Sequence, residues 1–104
     1  MQNEPFQLRY LPLFEQDLLD TVDYITNVLQ NEDAAQRLID DVETAILKRL
    51  DNPLSFEPYH SAKKRDYPYY RIYVRNYTVF YVVIGNVMEV RRLIYSARNI
   101  DSVL

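Results

Sequence analysis

The sequence has no cysteine and no tryptophan, and it has only one glycine and one histidine. The lack of cysteine excludes a disulfide framework and a thiolate metal site. A single glycine, Gly85, excludes the glycine-rich phosphate loops of nucleotide-binding proteins. His60 stands alone in a predicted loop, so we expect a solvated side chain rather than a metal ligand or a catalytic base. We therefore expect neither a metal nor another cofactor.

Long apolar runs are also missing. No stretch approaches the roughly 20 apolar residues that a helix needs to cross a bilayer. The first residues, Met-Gln-Asn-Glu-Pro, lack the basic start and apolar segment of a signal peptide. The 104 residues fit a single domain, 1–104, and 48% of them are hydrophobic, enough for a modest core. We expect a soluble protein of the cytoplasm with no membrane partner.

Charge is distributed unevenly along the chain. Residues 1–52 hold eleven acidic and four basic residues, whereas residues 53–104 hold four acidic and eight basic residues. Eight of the ten tyrosines lie between Tyr59 and Tyr95. This asymmetry fits a basic, tyrosine-rich surface for a polyanion. It fits equally well a chain in which acidic residues coat exposed helices and aromatic residues fill strands.

The first half of the chain has the apolar periodicity of two amphipathic helices. The first begins near Pro12, and the second follows a break at 30–32 and ends at Asp51-Asn52-Pro53. Asp33 and Gln36 have the spacing of a capping box. The apolar positions of the first helix are Leu11, Phe14, Leu18, Val22, Ile25 and Leu29; those of the second are Ala35, Leu38, Ile39, Val42, Ile46 and Leu50. Helices joined by so short a link should pack antiparallel.

The second half predicts three strands joined by two hairpins: Tyr69–Arg75, Tyr77–Ile84 and Val87–Tyr95. Asn76 separates the first pair and Gly85-Asn86 the second; both residue types accept positive φ at low cost. The middle strand is apolar at nearly every position, so it should be central. With a short strand at Phe6–Tyr10, the order is β-α-α-β-β-β. We predict an α+β fold in which a helical hairpin covers one face of an antiparallel sheet.

The last strand does not alternate cleanly. Arg92 shares its parity with the apolar Val90 and Ile94. A bulge near Arg91-Arg92 would resolve the conflict. Burial of the Arg92 stem with its head at an edge would also resolve it. The pattern does not choose between the two.

Cations and tyrosines are the candidates for chemistry. Arg71, Tyr73 and Arg75 share one face of their strand, while Tyr70, Ile72 and Val74 should face the core. Arg98 follows the last strand, and the basic run 63–65 precedes the first of the three. Guanidinium groups bind phosphate bidentately, and tyrosine rings stack on bases. Such a surface suits either binding of a nucleic-acid strand or metal-independent cleavage of RNA.

These segments resemble the RelE/ParE toxins of type II toxin–antitoxin (plasmid stabilisation) modules. The resemblance rests on Tyr70–Val74, Tyr77–Ile84 and the run Val90–Asn99, together with the helical segments Asp-Leu-Leu-Asp…Tyr-Ile and Ala-Ala-Gln-Arg-Leu-Ile. It covers nearly the whole chain and the β-α-α-β-β-β order. It implies a toxin held inactive by a cognate antitoxin in a hetero-oligomer.

The resemblance also implies two targets. RelE-like members act as mRNA interferases, which are endoribonucleases that cut mRNA on the ribosome, and ParE-like members inhibit DNA gyrase without being enzymes. By resemblance, Arg71 and Arg98 would hold and stabilise the scissile phosphate, and Tyr95 or Tyr73 would stack or relay a proton. The expected nucleic-acid-binding residues are Lys63, Lys64, Arg65, Tyr73 and Arg75. We expect mRNA cleavage first, with gyrase inhibition, or a degenerate member that only binds its antitoxin, as alternatives. The C-terminal tyrosine of RelE-type sites has no counterpart near Leu104.

Overall fold

The predicted order of elements is confirmed. A computed structural model describes residues 5–59, 65–98 and 100–104. Within these ranges no helix is both long enough and apolar enough to cross a membrane. The elements are β1 (Gln7–Tyr10), α1 (Pro12–Asp23), a π-helical turn (Tyr24–Val28), α2 (Glu32–Leu50), β2 (Tyr70–Val74), β3 (Tyr77–Ile84), β4 (Val87–Tyr95) and α3 (Ile100–Val103). The bounds of β3 and β4 are those predicted from the sequence.

The four strands form one sheet in the order β1-β4-β3-β2. The strands β2, β3 and β4 are antiparallel as predicted, and β3 lies inside the sheet. The sheet is nevertheless mixed rather than wholly antiparallel, because β1 runs parallel to β4. A parallel neighbour needs a long crossover connection, and the helical hairpin and the two strands that follow it supply that length.

The helical hairpin covers one face of the sheet, called here the helix face. Phe14, Leu38, Val42 and Ile46 pack there against buried side chains of all three long strands. Leu18 and Val22 join the same cluster with partial exposure. The predicted packing of the helices on the sheet is therefore confirmed, and burial of these apolar stripes provides most of the driving force for folding.

Two details of the hairpin differ from the sequence prediction. Asn31, not Asp33, caps α2: its Oδ1 accepts a hydrogen bond from the Ala34 N–H at 3.0 Å. The helix begins at Glu32, so Asp33 already lies within the first turn. Leu29 is 56% exposed rather than part of the apolar stripe. The π-helical turn places an additional residue in the last turn and rotates Leu29 away from the sheet.

The irregularity of β4 is explained by both of the predicted devices. Phe80 pairs with Arg92, but its neighbour Tyr81 pairs with Val90, so Arg91 is the extra residue of a β-bulge. The bulge lets Val90 and Leu93 both face the helices. The Arg92 head also reaches the edge of β4 that β1 leaves uncovered, where it meets Asp17 of α1.

The hairpin turns carry the expected positive φ values at only one of the predicted positions. Gly85 has φ +62°, as expected. In the first turn the positive φ, +55°, falls on Arg75 and not on Asn76. Arg75 is the first residue of the two-residue connection between Val74 and Tyr77, which is a position that requires a left-handed backbone in the tight hairpin turns.

Candidate functional site

The sheet face opposite the helices holds the predicted arginines. Along β2, Tyr70, Ile72 and Val74 are buried against the helices, so Arg71 and Tyr73 point to the other side, as predicted. We call this side the arginine face. The register places the following residues on it: Tyr69, Arg71, Tyr73, Thr78, Phe80, Val82, Glu89, Arg92 and Ile94.

The middle of the arginine face is apolar and covered. Phe80, Val82 and Ile94 are at most 2% exposed and form a second cluster with Tyr69. The C-terminal segment, through Ile100, Val103 and Leu104, packs against this cluster. The tail is therefore a docked helical turn, as expected. The polar groups of this face lie around its margin.

Arg71 lies at this margin on two aromatic rings. Its guanidinium carbon is 5.0 Å from the centre of the Tyr59 ring and 5.8 Å from that of Tyr73. Both distances lie within the range of cation–π attraction. Among the described residues, Arg71 forms no ion pair with a carboxylate. Its head is therefore half-buried on aromatic surface with its charge uncompensated.

The backbone of Arg71 is held from beneath. Arg49 of α2 donates through Nη1 to the Arg71 carbonyl oxygen at 3.0 Å and to the Tyr81 hydroxyl at 3.0 Å. The Tyr81 hydroxyl in turn donates to the Pro53 carbonyl at 2.7 Å. The Phe56 ring lies 3.5 Å from the Arg49 guanidinium carbon. The edge strand is thereby fixed in position below the Arg71 side chain.

Arg92 is committed to an internal ion pair. Its Nε and Nη2 donate to the two carboxylate oxygens of Asp17 at 2.8 and 3.2 Å, and its Nη1 donates to the Val103 carbonyl at 2.8 Å. Asp17 also accepts from the Leu93 N–H at 2.9 Å. The side chains are 18% and 14% exposed. The hydrogen bonding of Arg92 to the Asp17 carboxylate outweighs burial and raises the pKa of Arg92.

Glu89 pairs with two further arginines. It accepts from Arg9 at 3.0 Å and from Arg91 at 2.9 Å, and its side chain is 7% exposed. Burial opposes ionisation of Glu89, but the hydrogen bonds from Arg91 and Arg9 outweigh it and hold the pKa of the carboxyl below its usual value. The Arg9–Glu89 pair joins β1 to β4, and the Arg91–Glu89 pair lies within β4.

Arg75 does not belong to the arginine face. It lies in the turn after β2, and its Nε and Nη2 contact Asp41 of α2 at 2.7 and 2.6 Å. The prediction that it shares a face with Arg71 and Tyr73 is wrong, because the left-handed backbone of the turn ends the strand alternation and directs the side chain to the helices.

Tyr95 and Arg71 lie on opposite faces of the sheet. Tyr95 pairs with Tyr77, whose ring packs with the helix-face cluster, and the two rings meet edge to face at 5.7 Å. The expected convergence of Tyr95 with Arg71 therefore does not form, because the bulge in β4 changes the parity of the residues after it. Arg98 is exposed in the turn after β4, where its N–H donates to the Tyr95 carbonyl at 3.0 Å.

The basic run before β2 is described only at its end. Lys63 and Lys64 lie outside the described residues, as does His60. The Arg65 guanidinium carbon is 4.6 Å from the centre of the Tyr69 ring, and that of Arg91 is 5.9 Å from the same ring. The Nε and Nη2 atoms of Arg65 are buried and have no hydrogen-bond partner in the described part of the chain.

Sequence reasoning missed three residues that shape this face. Asp17 and Glu89 neutralise arginines, and Tyr59 supports Arg71. Glu89 could have been identified from the sequence, because it is a lone carboxylate between apolar residues of a predicted strand. Asp17 resembled the solvent-facing carboxylates of its helix, and Tyr59 resembled the other tyrosines of its loop.

Among the described residues, Arg71 is the arginine of this face that is best placed to bind an anion. Arg92 pairs with Asp17, and Arg9 and Arg91 share Glu89, whereas Arg71 has no carboxylate partner and lies beside the exposed Tyr73 ring. A guanidinium on an aromatic platform can bind one phosphate and stack one base.

The chain matches the family model described as "ParE toxin of type II toxin-antitoxin system, parDE" over residues 8–100. No curated protein matches it. Eight chains of solved structures do, and one of them comes from the chromosomal ParDE TA system of P. aeruginosa. That match has a TM-score of 0.71 at 12% identity, and it covers 88% of this chain and 96% of the other. The structural likeness shows a shared fold, and the sequence model shows the family. The chain belongs to the family of ParE toxins of type II toxin–antitoxin systems.

Proposed function

We propose that this protein is the toxin of a ParDE-type module, held inactive by its antitoxin and active in the cytoplasm once released. The support is the family model, which spans both the helical hairpin and the sheet. The protein forms a hetero-oligomer with its antitoxin. Loss of the antitoxin then leaves the chain free to act on its target.

The target we propose is DNA gyrase, and the mode is non-enzymatic inhibition. The resemblance assigns this target to the ParE branch. The observation that carries the proposal is that four arginines are held in ion pairs: Arg92 with Asp17, Arg75 with Asp41, and both Arg9 and Arg91 with Glu89. A ribosome-bound nuclease needs cations that are free to meet phosphates. Ion pairing makes these four arginines less available to phosphates, which favours contact with a protein.

Cleavage of mRNA is the second candidate, and Arg71 is the residue that favours it. Its charge is uncompensated among the described residues and it lies on the rings of Tyr59 and Tyr73. In this function Arg71 would stabilise the negative charge that develops on the phosphorus oxygens. Arg98 would be its partner, while Tyr95 would need to act from the opposite face.

One pair of assays separates the two functions. Purified protein, freed from antitoxin, is added to gyrase with relaxed plasmid and separately to ribosomes programmed with mRNA. We expect loss of supercoiling at stoichiometric protein and intact mRNA. Cut mRNA with unaffected supercoiling would reverse the assignment. Activity in neither assay would support a member that only binds its antitoxin.

Arg71→Ala sharpens this test. Removing a cation that stabilises a transition state lowers cleavage by roughly 100-fold or more. On the gyrase proposal, supercoiling inhibition by Arg71→Ala stays within about threefold of the original protein, because no charge develops on a phosphate for Arg71 to stabilise and truncation of most interface residues costs little. Arg37→Ala is the matched control, since Arg37 is an exposed arginine on α2.

A further inference from the structure

The backbone at the tip of the helical hairpin departs from a regular α-helix. After α1 the chain forms the π-helical turn, and the Leu29 N–H donates to the Tyr24 carbonyl at 3.1 Å. The helix then ends with a left-handed residue, Gln30 at φ +52°, and with a hydrogen bond from the Asn31 N–H to the Ile25 carbonyl at 3.1 Å, which is a common helix terminus. Single π turns inside helices are rare and occur frequently at functional sites.

The π-helical turn brings apolar side chains to the surface. Tyr24, Val28 and Leu29 are 52%, 63% and 56% exposed, whereas Ile25 remains buried. Had the α-helix continued, Leu29 would have followed Ile25 onto the helix face at the i+4 spacing. The backbone distortion thus exposes Leu29 beside Tyr24 and Val28, and the three form an apolar patch at the surface. Such patches mark interaction surfaces.

This patch borders a concave site. A cleft forms where the hairpin tip meets the turn after β2 and the end of β4. We call it the tip cleft. Its lining residues are Asp20, Thr21, Tyr24, Leu29, Asn76, Tyr77 and Tyr95. Burial raises the pKa of Tyr77, as do the neighbouring hydroxyls of Tyr95 and Tyr24. Three tyrosines therefore meet in one cleft, and tyrosine is enriched among the residues that dominate binding energy.

The negative charge of the hairpin restricts which kind of partner can bind in the tip cleft. No lysine or arginine occurs between Tyr10 and Gln36, and none is among the described residues that line the tip cleft. Asp20 and Asp23 are exposed at this tip. Nucleic acid is repelled by such a surface. A second copy of the chain, meeting it across a two-fold axis, would bring the same negative charge. The complementary occupant is a protein surface with an apolar anchor and flanking lysine or arginine.

We infer that the tip cleft is the surface that engages the target enzyme. The inference rests on the proposed function, in which that enzyme is a topoisomerase. Enzymes that handle DNA carry basic surfaces for its phosphates. The tip cleft would receive an apolar side chain from such a surface, and Asp20 and Asp23 would pair with its cations. The arginine face lies on the other side of the sheet and takes no part in this contact.

Two leucines of equal exposure provide the test. Leu29 lines the tip cleft and is 56% exposed, while Leu19 is 58% exposed on α1 and does not line it. Leu29→Gln and Leu19→Gln are compared by biolayer interferometry against purified gyrase and against the cognate antitoxin. We expect Leu29→Gln to weaken gyrase binding about tenfold and Leu19→Gln less than about twofold. Antitoxin affinity should stay within about twofold for both. Asp20→Lys should weaken gyrase binding further and reduce its salt dependence.

Four results would overturn the inference. Equal gyrase binding by the two leucine variants would exclude the tip cleft as the contact. Loss of antitoxin affinity alone in Leu29→Gln would assign the cleft to the antitoxin. Dimers that dissociate in Leu29→Gln would assign it to a second copy. Failure of the original protein to bind gyrase would refute the proposed function together with this inference, whereas the other three results leave gyrase inhibition intact.

Discussion

The two faces of the sheet are stabilised in different ways. The helix face is closed by apolar side chains such as Ile46, Val79 and Met88, each 0% exposed. The arginine face carries both of the buried polar or charged residues found in the described core, Thr78 and Glu89, and it is closed by ion pairs and a short tail. Apolar packing neither titrates nor is weakened by charge screening, whereas ion pairs respond to both pH and salt. The same sheet therefore combines a face that responds little to solution conditions with one that responds strongly.

The largest effect should come from the helix face. Ile46→Ala removes a fully buried side chain between α2 and the sheet and should lower the free energy of unfolding by about 2–5 kcal/mol. Urea denaturation at neutral pH measures it. Leu47→Ala, at a neighbouring position that is 48% exposed, is the control and should cost less than about 1 kcal/mol. Similar losses in the two variants would mean that α2 does not pack as described.

A smaller loss should follow from the arginine face. Asp17→Asn leaves Arg92 partly buried without a counter-ion and should cost about 2–4 kcal/mol. The exposed pair Arg75–Asp41 is the comparison: Asp41→Asn should cost less than about 1 kcal/mol, because both side chains are about half exposed. Equal losses in thermal or urea unfolding would contradict the distinction between a buried and a surface pair.

The smallest and most specific effect is on pH dependence. The folded-state pKa of Glu89 is depressed, so its contribution to stability is present above its unfolded pKa near 4.5 and is lost as pH falls through the folded pKa. Glu89→Gln should therefore be less stable than the original protein at pH 7, and the difference should shrink below about pH 4.5. Urea midpoints between pH 3 and 7 measure it. A constant difference across this range would show that Glu89 titrates normally.

Most of the fold could be predicted from the sequence because its signals are local. Gly85-Asn86, the apolar run of β3 and the helix stripes each depend on neighbouring residues. The site was harder to predict because its contacts join residues that are far apart in the sequence. Asp17 meets Arg92 across 75 positions, and nothing in its helix distinguishes it from Glu15 or Asp20. The face of Tyr95 could not be assigned either, since it depends on whether an extra residue precedes it in β4.

The π-helical turn shows a second limit of structure prediction from side-chain periodicity. The spacing of Leu18, Val22, Ile25 and Leu29 is that of a regular helix, and it correctly predicted the burial of Ile25. Leu29 departs from it because the backbone hydrogen bonds widen before that residue. Side-chain periodicity reports which face a residue would occupy in an ideal helix, and it does not report where the helix ceases to be ideal.

The bulge at Arg91 has a consequence for how this strand tolerates changes in length. A chain without Arg91 would alternate regularly through β4, with Val90 and Leu93 still facing the helices and Arg92 still opposite Phe80. The strand thus behaves as two segments joined by a spacer. Arg91 could therefore be lost without moving a core side chain to the wrong face. A relative without this residue would share the strand register and would align correctly only if a gap is opened at this position.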